Sequence, residues 1–182
     1  MRAALKLHPD SVSLAASTIE VDVSRPTPGV LELRYFVTGA IQDLCMPPPS
    51  SPERTFGLWE HSCFEAFVRA PSGEPYYELN FAPSSRWAAY RFTGYRSGMS
   101  DAIEIPAPRI EVRSSEYSYE LKVEVEPGYL RDLPADAPWR LGLSAVIEDR
   151  SGQKSYWALA HPPGRPDFHH EDCFALELTP AA

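Results

Sequence analysis

The chain has 182 residues, 43% hydrophobic and 23% charged, a balance that excludes wholesale disorder and gives one domain, 1–182, enough length for a sizeable core. A net charge of -8 sets it against nucleic acid and anionic membrane surfaces, and no run of about 18 apolar residues marks a spanning helix. Cys45, Cys63 and Cys173 are too few and too scattered for a disulfide framework or a paired-cysteine zinc site; with no cleavable leader in "MRAALKLHPDSV", the expected location is the cytoplasm.

Nineteen prolines and ten glycines, with 12% aromatics, point away from helices and toward short strands separated by turns. In chain order, "SVSLAAS" (11–17) and "IEVDV" (19–23) read as early strands, and "LELRYFV" (31–37) alternates with Leu31, Leu33 and Tyr35 on one face. "MPPPSSPER" (46–54) is a loop, because its four prolines forbid a hydrogen-bonded ladder. Strands follow at "WEHSCFEAFV" (59–68), "YYELNF" (76–81) and "RWAAYRF" (86–92). "RIEVR" (109–113) and "ELKVEVE" (120–126) also alternate, the second with Leu121, Val123 and Val125 inward, and "SSEY" between them is their turn. "PGYLRDL" (127–133) suggests one or two helical turns. "LGLSAVI" (141–147), "KSYWALA" (154–160) and "CFALEL" (173–178) complete the set. The predicted fold is all-β: an antiparallel β-sandwich of about ten or eleven strands, immunoglobulin-like or jelly-roll-like, with at most one short helix.

The central strands carry charges among apolar residues. Parity separates Phe64, Ala66 and Val68 from Trp59, His61, Cys63, Glu65 and Phe67, and Tyr77, Leu79 and Phe81 from Tyr76, Glu78 and Asn80. With the apolar faces in the core, Trp59, His61, Glu65, Tyr76, Glu78 and Asn80 share the opposite face. Adjacent carboxylates repel unless a cation, a proton or a ligand sits between them, and Arg91 is the cation expected there if its strand joins that face.

The segments "LWEHSCFEAFV…YYELNFAPS", "RWAAYRFTGYRSGM" and "HPPGRPDFHHEDCF" resemble the DOMON-like superfamily, in particular a small bacterial stand-alone subgroup similar to family 9 carbohydrate-binding modules. The resemblance spans residues 58–178 and rests on the order of several elements. It implies a β-sandwich with a ligand site on a concave sheet face, where family 9 modules hold sugars between tryptophan rings and related DOMON domains bind haem through Met and His.

The ligand-binding candidates are Glu65, Glu78, Asn80, Trp87, Arg91, Trp157 and His161. Aromatic rings pack on the C–H face of a pyranose, and carboxylate, amide and guanidinium groups bond its vicinal hydroxyls. The expected partner is therefore a small carbohydrate or similar polyhydroxylated molecule, bound without being transformed. Two other readings stay open: Glu65, Glu78 and Arg91 as a structural ion-pair network in a partner-binding domain, or the two glutamates as a glycosidase pair, which needs carboxyl groups about 5.5 Å or about 6.5–9.5 Å apart. His161, Asp167 and His169 are the nearest approach to a metal set, and Met99 with a loop histidine to a haem pair, but neither spacing matches a known motif and no metal or cofactor is expected. No oligomeric state is implied.

Overall fold

The computed structural model describes residues 1–126 and 132–181. Among these, twelve strands form one curled antiparallel sheet that folds over into two layers. The first layer orders β1 (Arg2–Leu7), β2 (Ala16–Ser24), β3 (Leu31–Gly39), β9 (Ser118–Val125) and β8 (Arg109–Ser114). The second orders β7 (Ser100–Asp101), β6 (Trp87–Phe92), β5 (Tyr76–Phe81), β4 (Cys63–Arg69), β10 (Trp139–Glu148) and β11 (Lys154–Ala158), with β12 (Leu176–Leu178) pairing the start of β10. β1 belongs to both layers: Arg2 to Leu5 pair with β2, whereas Lys6 and Leu7 pair with β11. A single strand thus carries the ladder round the corner.

The all-β reading holds. The alternation in "LELRYFV" and "ELKVEVE" appears as predicted: Leu31, Leu33, Tyr35, Leu121, Val123 and Val125 are buried, while the residues between them are half-buried. Across the interlayer core, Tyr35 packs against Phe64 at 5.0 Å and donates its hydroxyl to the Glu65 carbonyl at 2.8 Å. That bond satisfies a phenol that the core would otherwise strand at a cost of about 1–3 kcal/mol.

Several boundaries differ from the sequence expectation. Residues 11–15 of "SVSLAAS" are not strand, whereas Arg2–Leu7, which carries no strand expectation from sequence, is. Trp59 lies in the 3-10 turn Leu58–Glu60, so neither it nor His61 follows the parity of β4; His61 is exposed and bonds Glu148 at 2.7 Å. Cys173 likewise ends the 3-10 turn Glu171–Cys173 before β12 begins. The helical turns expected over 127–133 fall largely outside the described residues.

Burial in the second layer explains why its strands read as nearly continuous apolar runs. All six residues of β5 are buried, as are the first six of β4. One face packs on the interlayer core, and the other lies under a second apolar cluster that includes Phe67, Tyr76, Phe92, Phe168 and Phe174. Gly142 in β10 is placed for this second contact. A Cβ there would stand 3.1 Å from the Cys173 carbonyl oxygen, so glycine lets residues 160–174 lie close on the outer face.

Candidate functional site

The outer face of the second layer is the floor of a cavity of about 430 Å³. Register builds the floor. Glu65 stands opposite Asn80 on one side and Ser144 on the other, while Glu78 stands opposite Phe67 and Tyr90. Glu65 and Glu78 are therefore diagonal neighbours on one face, as parity predicted. β10 and β11 extend the floor with Val146, paired to Tyr156.

Three irregular segments wall the cavity. Trp59 comes from the 3-10 turn before β4, Arg96 and Met99 from the connection after β6, and Pro166, Phe168 and His169 from the segment before β12. Arg96 takes a left-handed backbone conformation with φ 49°, which costs a non-glycine residue on the order of 1 kcal/mol. Its guanidinium reaches Asp167 with Nη2 at 2.7 Å and Nε at 3.1 Å, and Tyr95 donates to the same carboxylate. Burial alone would raise the Asp167 carboxyl, but these donors hold it below its ordinary value. The contact fastens the second wall to the third.

Both glutamates are almost wholly enclosed, Glu65 at 2% and Glu78 at 5% exposure. Burial, reinforced by the charge of Glu78 and opposed by the Ser144 hydroxyl, pushes the Glu65 carboxyl up to about 8. Burial also raises Glu78, against the Asn80 amide and the charge of Arg96. Ser144 donates to Glu65 Oε2 at 3.2 Å and Asn80 to Glu78 Oε1 at 2.8 Å. At neutral pH Glu65 holds its proton, so the pair carries at most one negative charge.

His169 lies 3.8 Å from Glu78, Nε2 to Oε2, but burial, with help from Arg96, depresses its imidazole to about 4. The ring is neutral, and the contact is not an ion pair. The Tyr76 hydroxyl accepts the Arg96 backbone N–H at 3.2 Å and lies 2.8 Å from His169 Nδ1. Its own proton is thus directed to Nδ1, which leaves the imidazole hydrogen on Nε2, facing Glu78.

The other predicted site residues lie elsewhere. Asn80 is fully buried on the floor face beneath the cavity, where it holds Glu78 in place. Arg91 stands opposite Tyr77 and so points to the interlayer side, where it pairs with Asp132 at 2.6 Å. The expected Glu65–Glu78–Arg91 trio does not form. Trp87 and Trp157 are both 5% exposed in the interlayer core. Arg54 covers Trp87 at 4.1 Å, and the Trp157 indole donates to Ser155 at 3.0 Å. His161 bonds the Lys6 carbonyl at 2.8 Å and packs edge-on against His8, outside the cavity lining. Asp167 accepts the His169 backbone N–H at 3.1 Å while His161 bonds elsewhere, and among the described residues no group of three or more His, Cys, Asp and Glu can hold a metal ion. Sequence reasoning missed Arg96, Phe168, Val146 and Tyr156 as site residues. The period-2 pattern of β10 and β11 carried a signal for the last two; irregular segments gave none for the others.

No protein-family model matches the chain, and no curated protein does. Solved structures do. A candidate carbohydrate-binding protein from Bacteroides uniformis ATCC 8492 superposes with a TM-score of 0.73 at 14% identity, over 98% of this chain and 85% of the other. A family 9 carbohydrate-binding module from Caldicellulosiruptor kristjanssonii in complex with cellotriose aligns over 100% of this chain and 82% of that one, with a TM-score of 0.56 and 8% identity. A family 9 module from the same organism in complex with glucose covers 96% and 83%, with a TM-score of 0.51 and 8% identity. At these identities the likeness is one of architecture: the chain has the β-sandwich fold of family 9 carbohydrate-binding modules.

Proposed function

We propose that this chain is a DOMON-like binding domain that holds a small carbohydrate in the cavity above Glu65 and Glu78 without transforming it. The observation that carries the reading is the cavity itself. Its volume suits a small ligand, its walls are aromatic, and two enclosed carboxyl groups stand on its floor. The fold shared with sugar-binding modules supports the same conclusion. Calorimetric titration with mono- and disaccharides at millimolar concentration tests it: saturable heat with at least one is expected, and none with any overturns it.

One observation favours a second reading. A carboxyl that stays protonated to about pH 8 beside a second carboxyl is the arrangement of a general acid and its partner. Hydrolysis of chromogenic glycosides, abolished in Glu65→Gln, would establish an enzyme; intact glycosides after prolonged incubation leave the binding reading in place.

A further inference from the structure

We infer that the ligand of this cavity carries a cationic amine, so that the carbohydrate it takes is an amino sugar in its ammonium form. The inference rests on the cavity being the carbohydrate site proposed above, and it adds the charge of the ligand.

The first ground is the unmatched acidity of the floor. Glu65 Oε1 and Glu78 Oε2 have no donor within hydrogen-bond distance among the described residues, His169 Nε2 standing 3.8 Å from Glu78 Oε2, although both side chains are enclosed. Enclosing an ionised Glu78 without a hydrogen-bonded counter-charge is costly, and a ligand ammonium supplies the charge and up to three donors, which Glu78 Oε2 and Glu65 Oε1 can accept. The cation already on the wall is divided: Arg96 directs Nε and Nη2 at Asp167, while its charge also acts to lower the Glu78 carboxyl. The remaining titratable groups around the floor add no positive charge: His169 is neutral, and Tyr76, Tyr90 and Cys63 keep their protons well above neutral pH.

The second ground is the aromatic lining. Trp59, Phe67, Phe92, Tyr156 and Phe168 line the same cavity, and their ring faces attract an organic cation. Trp59, Phe67, Phe92 and Phe168 offer no ligand atoms to a metal ion, and among the described residues no group of three or more His, Cys, Asp and Glu can hold one. The -8 charge of the chain acts in the same direction at longer range.

The experiment is calorimetric titration of the full chain at pH 6.5 with glucosamine, glucose, N-acetylglucosamine and ethanolamine, repeated at low and high salt. The inference expects glucosamine to bind at least about tenfold more tightly than glucose or N-acetylglucosamine, and to weaken with salt while glucose does not. In Glu78→Gln the glucosamine-to-glucose ratio should fall toward one, whereas Glu65→Gln, which mimics the protonated acid present at this pH, should leave it nearly unchanged; the salt test on the wild type decides the matter if either variant fails to fold. Equal binding of the three sugars overturns the amine inference and leaves the carbohydrate reading standing. Binding of ethanolamine with none of the sugars keeps the cation and removes the sugar. No binding of any of the four overturns both.

Discussion

Replacing Glu65 by glutamine, which mimics the protonated acid, should make the protein progressively more stable than wild type as pH rises. The Glu65 carboxyl titrates near 8 in the folded chain, against an ordinary value of 4.5. Below 4.5 both folded and unfolded states hold the proton, and the group makes no difference to stability. Between 4.5 and 8 only the folded state holds it, so stability falls by about 1.4 kcal/mol per pH unit. From pH 5 to pH 7.5 the wild type therefore loses about 3 kcal/mol through this group, and the glutamine variant does not. The raised carboxyl of Glu78 adds a loss of the same sign to both proteins, so the difference between them isolates Glu65. Urea denaturation followed by tryptophan fluorescence at pH 5, 6, 7 and 7.5 gives the two curves. They should nearly coincide at pH 5 and separate steadily above it. A separation independent of pH would refute the assignment of a protonated, buried Glu65.

Four other outcomes follow from the same geometry. Tyr35→Phe removes the hydroxyl's bond to the Glu65 carbonyl and should cost about 1 kcal/mol, measured by the urea midpoint. Asp167→Asn weakens the acceptor shared by Tyr95 and Arg96; about 1–2 kcal/mol of stability should go, with sugar affinity falling because two cavity walls separate. Trp157→Phe should lower stability by about 1–2 kcal/mol and leave sugar affinity within about twofold, since the indole lies in the interlayer core; a large loss of affinity with intact stability would return Trp157 to the site. Gly39→Ala should prevent folding or cost at least about 3 kcal/mol by thermal melt, because Gly39 sits at φ 142° and a Cβ would collide with the Ala15 carbonyl oxygen.

Which parts of this could be read from sequence depends on what each residue's position rests on. Alternation within one strand is local, so the inward faces of β3 and β9 and the common face of Glu65, Glu78 and Asn80 were all legible. Relations between strands depend on connection length. Residues 70–75 join β4 to β5 and set odd positions opposite even ones, which brings Glu65 to Asn80. Residues 82–86 join β5 to β6 and set like parity opposite like, which sends Arg91 to the Tyr77 side. The second turn is closed by Ser85 in a left-handed conformation, a choice that serine does not announce. Trp87 and Trp157 were misplaced for the same reason: residue type suggested stacking, but register placed them inward. The walls were the least legible part. Arg96, Phe168 and His169 meet the floor only because irregular segments return over it, and periodicity says nothing about such segments.

The double burial of β4 and β5 bears on how this molecule can vary. In β3 and β9 every second position faces outward, so substitutions there should be tolerated with a period of two. In β5 and the first six residues of β4 no position is free: each is buried, on the interlayer side or on the cavity side. A saturation scan of these two strands should therefore show an unbroken band of intolerance. Changes in ligand preference would have to come through the walls at 56–59, 93–99 and 162–170, where side chains are replaceable without disturbing a ladder. On the proposed binding reading, the floor sets what kind of chemistry the cavity recognises, and the walls set which member of that class.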